Sequence, residues 1–273
     1  MKVRLFLFLL ILSGCITAQE IAAVSTAKIP LQADQFVGVD DYKSLYFIRN
    51  NTFYKIQGTQ SFQFSALRLG RLTQVDIINP LKITLFYEDS NTVVVVDNRL
   101  NEITRINFSE ISRPRNVSHV TTAGNQQFWI FNVDLKRIEI FDYFQRRVVA
   151  NFPPESGIAK AMTSDFNYCW IVVGNRYKKY SLYGNLLQDS PSLGANFLEQ
   201  HDGNLVTFLP DNTNDPKLED YVSLNTLYYM PKGSRLFYAI GIPEMEVKQF
   251  FLTSEILYIY DGKQINAFKL KIS

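Results

Sequence analysis

Several things are scarce in this chain, and each shortage removes a class of function. Only two cysteines occur among 273 residues, Cys15 and Cys169. A framework of disulfides like that of small secreted domains is therefore excluded. Only two histidines occur, His119 and His201, far apart and neither with a second ligand at zinc spacing. Net charge is +2, from 28 basic and 26 acidic residues. That balance does not suit a nucleic-acid binder, which carries a basic patch or stripe. There is no P-loop, no G-x-G-x-x-G and no G-x-S-x-G. Ser, His and Asp are present, but no spacing picks out a triad. No window of a dozen residues carries a 3.6-residue apolar stripe, so almost no helix is expected.

The one long apolar run, Leu5 to Leu12, is too short to span a bilayer. Lys2 and Arg4 precede it as a positive n-region, and Leu12-Ser13-Gly14-Cys15 ends it. Residues 1–19 thus read as a signal segment that leaves the fold. The four-residue ending looks like the lipobox of bacterial lipoproteins. That resemblance implies cleavage before Cys15 and lipidation of Cys15. Ordinary signal cleavage near Ala18-Gln19 is the competing reading, with Cys15 discarded. Either way Cys169 is left without a partner. It sits in the apolar run Tyr168 to Val173 and reads as a small buried hydrophobe.

What is abundant is aromatic and strand-forming. There are 15 Tyr and 21 Phe, with many Val, Ile and Thr. The stretch Phe128 to Phe152 holds three short strands in a row. Its middle strand, Arg137 to Asp142, alternates at the period of two that a strand requires. Hairpins of the same kind begin near residues 45, 83, 128, 169, 205 and 257, at spacings of 38, 45, 41, 36 and 52. Three of their turns carry Asn50-Asn51, Gly174-Asn175 and Asp261-Gly262, residues that tolerate positive φ; the second turns at Asp89 to Asn91, the third through Asp134, and the fifth holds an insertion. Most hairpins are preceded and followed by one more strand-like run. The first includes 36–39, 72–78, 117–122, 159–163, 197–200 and 247–252. The second includes 61–67, 102–108, 147–152, 186–189 and 235–241.

A period near 40 built of four strands marks a β-propeller blade. Residues 20–273 are therefore expected to form one all-β domain, a six-bladed β-propeller of four-stranded antiparallel blades. Five or seven blades also fit, because the fifth unit is irregular. The sixth unit reaches the last residues with no fourth strand. The free strand-like segment Ile21 to Pro30 is expected to complete that last blade and close the ring, which removes exposed edges. Trp129 and Trp170 hold matching places in consecutive hairpins, so both are expected to pack between neighbouring blades.

The candidate binding residues follow from this layout. In a propeller, the loops between second and third strands share a face with the loops between blades. The insertion from Pro210 to Tyr221 falls there, and insertions on one face of a repeat protein often bind. Asp211, Asp215, Glu219 and Asp220 in the insertion, with Asp134 and Arg176, are the candidate partner-binding residues. Lys136 and Lys263 rim the same face. No catalytic or metal-ligating residue is assigned.

The recurring pattern in VVVVDNRLNEITRINF and IEIFDYFQRRVVANF resembles the six-bladed group that includes NHL and TolB-like propellers. The signal ending TAQ, the lipobox and the Asn- and aromatic-rich strands look like envelope proteins of Bacteroidetes. These resemblances imply an outer-membrane lipoprotein, periplasm-facing and monomeric, that acts as a noncatalytic scaffold for an envelope protein partner without nucleic acid or cofactor. The alternative is a calcium-dependent lactonase or esterase, since gluconolactonase- and paraoxonase-type propellers hold calcium in the central channel. Asp34, Asp76 and Glu199 lie near first strands, where channel residues would come from. That family's pattern is not matched residue by residue, so no ligand set carries over. Glycan binding is a third reading.

Overall fold

The structure is a computed structural model, which describes residues 20–124, 126–192, 194–209 and 225–272. Strand β1 (Ile21–Pro30) opens the described chain. Four sheets of four antiparallel strands follow, each built from consecutive strands in order. The first is β2–β5 (Gln35–Val39, Leu45–Arg49, Thr52–Gln57, Gln60–Phe64) and the second β6–β9 (Gln74–Asp76, Ile83–Tyr87, Thr92–Val96, Glu102–Asn107). The third is β10–β13 (Val117–Thr122, Gln127–Asn132, Arg137–Asp142, Arg147–Asn151) and the fourth β14–β17 (Ala159–Ser164, Tyr168–Val173, Arg176–Ser181, Leu186–Pro191).

The last strands are β18–β21 (Phe197–His201, Asn204–Leu209, Thr226–Met230, Tyr238–Gly241) and β22–β24 (Gln249–Leu252, Ile256–Tyr260, Gln264–Lys271). They form one eight-stranded sheet in the order β18-β19-β20-β21-β1-β24-β23-β22. Within it β1 runs antiparallel to β24, from Ala22 opposite Lys271 to Pro30 opposite Gln264. Only Ile21 and Ala22 also pair, in parallel, with Ile240 and Gly241 of β21. No α-helix occurs among the described residues. A single 3-10 turn, Leu67–Leu69, follows β5.

The cores lie between neighbouring sheets. Phe86, Val93 and Val95 of the second sheet pack on Phe128, Ile130 and Phe141 of the third. Trp129 and Phe131 meet Cys169 and Ile171 of the fourth. Trp170 and Tyr177 meet Leu198, Leu205 and Met230 beyond. The middle strands of the second sheet are covered on both sides, which is why β7 (ITLFY) and β8 (TVVVV) are wholly buried and apolar apart from Thr84 and Thr92. The outermost β13 alternates exposed and half-buried because only one of its faces is covered.

Several boundaries depart from the sequence reading: 235–241 shortens to Tyr238–Gly241, 247–252 to Gln249–Leu252, and 186–189 extends to Pro191; two others have plain local reasons. A strand over 72–78 shrinks to Gln74–Asp76, because the Asp76 carboxylate accepts the Ile78 N–H at 2.9 Å and turns the chain. A strand over 61–67 ends at Phe64, ahead of the 3-10 turn.

Candidate functional site

Six strands, each the first of a consecutive antiparallel run, face one cavity. Residues of β2, β6, β10, β14, β18 and β22 together line a space of about 420 Å³. Side-chain bonds tie these strands to one another. Gln74 spans from β6 to β10, its amide donating to the Ser118 carbonyl and its oxygen accepting the Val120 N–H, both at 3.0 Å. Asp76 accepts the Thr121 hydroxyl at 2.7 Å and the Thr122 N–H at 2.6 Å. Thr121 and Ser164 of β14 share a 2.7 Å hydroxyl bond. Gln200 of β18 donates to the Ser164 carbonyl at 2.7 Å. Gln249 of β22 accepts the Phe36 N–H of β2 at 3.4 Å.

In these pairs the residue numbers rise together, 74 with 118–120 and 76 with 121–122. The first strands therefore run side by side in one direction. Gly38 of β2 closes the circle between its two neighbours. A Cβ there would stand 2.6 Å from Phe251 of β22 and 2.9 Å from Ile77 just past β6. Because the first strands are codirectional, the turns joining first to second and third to fourth strands share one end of the molecule, here the lower end. The connections from second to third strands lie at the upper end.

Two carboxyls and a histidine give the channel its electrostatics. Asp76 is held by three donors: Thr121 Oγ1, the Thr122 N–H and the Ile78 N–H. Glu199 of β18 lines the cavity, and its pKa is pushed up to about 8, first by burial and then by the neighbouring Asp76 charge. His119 of β10 also lines the cavity. Burial lowers its pKa to about 4, against the opposing pull of a hydrogen bond with the Lys160 backbone. Cys169 is fully buried, and desolvation raises its thiol well above the usual range, so it is no nucleophile. Among the described residues no three of His, Cys, Asp and Glu gather into a metal site.

The residues singled out from the sequence fall elsewhere. Asp134 lies in the upper turn between β11 and β12, where it accepts from Asn116 Nδ2 at 3.1 Å. Arg176 begins β16 at the same end and is paired with Asp189 of β17 at 2.7 Å. Neither touches the cavity. Cys15, Asp211, Asp215, Glu219 and Asp220 lie outside the described residues. The connection that holds the last four leaves β19 and returns to β20 where Leu209 pairs with Thr226, at the upper end. Of the three acids weighed for calcium, Asp76 and Glu199 do face one channel. Asp34 does not line it, and its carboxylate accepts the Asn50 N–H at 2.5 Å.

The polar belt of Gln74, Thr121, Ser164, Gln200 and Gln249 was not anticipated. Its signal is compositional: first strands such as VSHVTT and AKAMTS are far more polar than the second strands QFWIFN and YCWIVV that follow them.

No family model matches this sequence, and no curated protein does. Solved structures do match in shape. Virginiamycin B lyase from Staphylococcus aureus superposes with a TM-score of 0.58 at 10% identity, over 90% of this chain and 99% of that one. The β-propeller domain of Cps50 (Swd1) from Myceliophteria thermophila gives 0.63 at 10% identity, over 91% of this chain and 100% of that one. The WD40 repeats of RRP9 give 0.63 at 8% identity, over 92% and 100%. The chain is a β-propeller. At such identities the likeness speaks for fold alone.

Proposed function

We propose that this chain is a noncatalytic, six-bladed propeller, tethered to the bacterial outer membrane by lipid on Cys15, which binds an envelope protein partner with its upper face. The blade count takes the eight-stranded sheet as two blades, β18–β21 and β22–β24 with β1, joined only where Ile21 and Ala22 meet β21. The placement of β1 carries the reading. Ala22 sits opposite Lys271. That is the lower end of its blade, near Glu255 in the turn between β22 and β23, where Glu255 pairs with Lys269 at 3.1 Å. Cys15 is five residues before Glu20, and five residues reach about 18 Å when fully extended. A lipid on Cys15 would hold the lower end near the bilayer and leave the upper end free.

The surfaces agree with that orientation. Lower turns present Tyr42, Phe144 and Tyr183, which are 73%, 77% and 89% exposed. Such side chains suit a membrane interface. The upper end carries Asp134 and Arg176, and β19 and β20 end there at Leu209 and Thr226, on either side of the sequence that contains Asp211, Asp215, Glu219 and Asp220. The calcium-hydrolase alternative is weaker because Asp76 already accepts three bonds from its own chain and Asp34 lies outside the channel.

The test is affinity capture from membranes with mass spectrometry, on the full chain and on a variant lacking residues 212–220. The variant is expected to melt within a degree or two of the parent and to lose the captured partner. Equal recovery of the same partner by both forms overturns the face assignment. Intact-mass measurement of the membrane form settles whether Cys15 is acylated.

A further inference from the structure

Glu199 is the odd group in the channel. Its side chain lines the cavity, yet it takes part in no hydrogen bond or ion pair with any described residue. Asp76, which raises its pKa through its own negative charge, is fixed in place by Thr121, Thr122 and Ile78. The other titratable groups in the lining do not balance this pair. Asp40 and Asp41 come from the β2–β3 turn and add negative charge. His119 is kept neutral by burial. His201 lies 3.7 Å from Asp202. Lys160 forms no ion pair among the described residues and is exposed. Strand β22 contributes Gln249, Phe250 and Phe251, and Thr253 follows it; none of these is charged. Lys160 lines the same cavity, but among the described residues no cation is ion-paired with Glu199 or Asp76.

Apolar side chains share the wall with the polar belt: Phe36, Val37, Ile77, Met162, Phe250 and Phe251. The volume of about 420 Å³ falls within the range of small-molecule sites, roughly 300–1,000 Å³. We infer that the channel binds a small organic cation, a primary ammonium on a compact apolar body, with the ammonium against Glu199 and the body among Phe36, Met162 and Phe251. A hard divalent ion is a poorer fit. It needs six or more oxygens, and Asp76 already gives its own to the protein. On binding, the Glu199 carboxyl loses its proton to solvent and the ammonium takes over as its counter-charge, so one proton leaves for each ligand bound.

The inference is separate from the partner-binding reading, because it concerns the channel and not the upper face. Isothermal titration of the protein with butylammonium chloride tests it, at pH 6.5 and pH 9 and in two buffers of different ionisation enthalpy. One saturable site is expected. Only the ionised fraction of Glu199 is competent, so affinity should be roughly thirtyfold weaker at pH 6.5 than at pH 9. Proton release should appear as a buffer-dependent heat at pH 6.5 and vanish at pH 9. E199Q, checked for an unchanged circular dichroism spectrum, should lose the site. If E199Q does not fold, E199D serves instead and should keep binding with the same sense of pH dependence. No saturable heat at either pH overturns the inference, as does undiminished binding by folded E199Q. Saturable binding of calcium chloride without binding of butylammonium also overturns it.

Discussion

Glu199 also makes a prediction about stability that needs no ligand. Its pKa moves from an ordinary 4.5 to about 8 in the folded protein. At about 1.4 kcal/mol for each tenfold in proton affinity, ionising it inside the channel costs about 5 kcal/mol. The folded state holds this proton more tightly than the unfolded chain, so stability falls as pH rises from 4.5 to about 8. His119 acts in the opposite sense. Its pKa falls from 6.5 to about 4, so the unfolded chain takes up the proton first, and stability rises with pH across that interval. Between 4.5 and 6.5 the two slopes offset. Between 6.5 and 8 only Glu199 still titrates of the two, and it removes about 2 kcal/mol. For a chain of this size that is a drop in Tm of about 4–8 °C. Thermal melting followed by circular dichroism at pH 6.5 and 8 measures it. E199Q should flatten the profile between these two values. A parent protein with equal Tm at both, or an E199Q protein that shows the same fall, would refute the account of the channel as a desolvated acid site.

Three further perturbations probe the packing. G38A places a methyl against Phe251 and Ile77, at 2.6 and 2.9 Å, and should cost about 1–3 kcal/mol by overpacking, read from urea unfolding. Glu139 is wholly buried, with Arg115 at 2.7 Å and Arg137 at 2.9 Å. E139A strands both guanidiniums and should cost about 3–5 kcal/mol; a loss below 1 kcal/mol would mean that water already screens the cluster. Removing residues 20–30 strips β1 from β24 and bares an eight-residue edge, so size-exclusion chromatography should show self-association in place of a monomer.

The strands were legible where two local signals coincided. Leu45–Arg49 and Thr52–Gln57 appear in the structure with the boundaries read from sequence, because apolar runs flank Asn50 and Asn51, which both adopt positive φ of 49° and 57°. The partnership of β1 with β24 was legible from a deficit, a last unit one strand short beside an unused strand at the start. The candidate site was much less so. Thr121 and Ser164, or Gln200 and the Ser164 carbonyl, belong to separate repeats. Each sits in a short, half-polar strand whose residues carry no motif. Asp76 and Glu199 could be named as channel acids, but not that one is saturated with donors and the other has none among the described residues.

Sequence alone determined that this is a repeated all-β chain whose second strands are rich in large apolar side chains. That follows from side-chain periodicity and turn chemistry, which act over a few residues. Closure decided the rest. Ring formation set which first strands became neighbours, where Gly38 had to be glycine, and how far Glu199 was drawn from water. These depend on distances between residues far apart in the chain, and only the assembled fold specifies such distances.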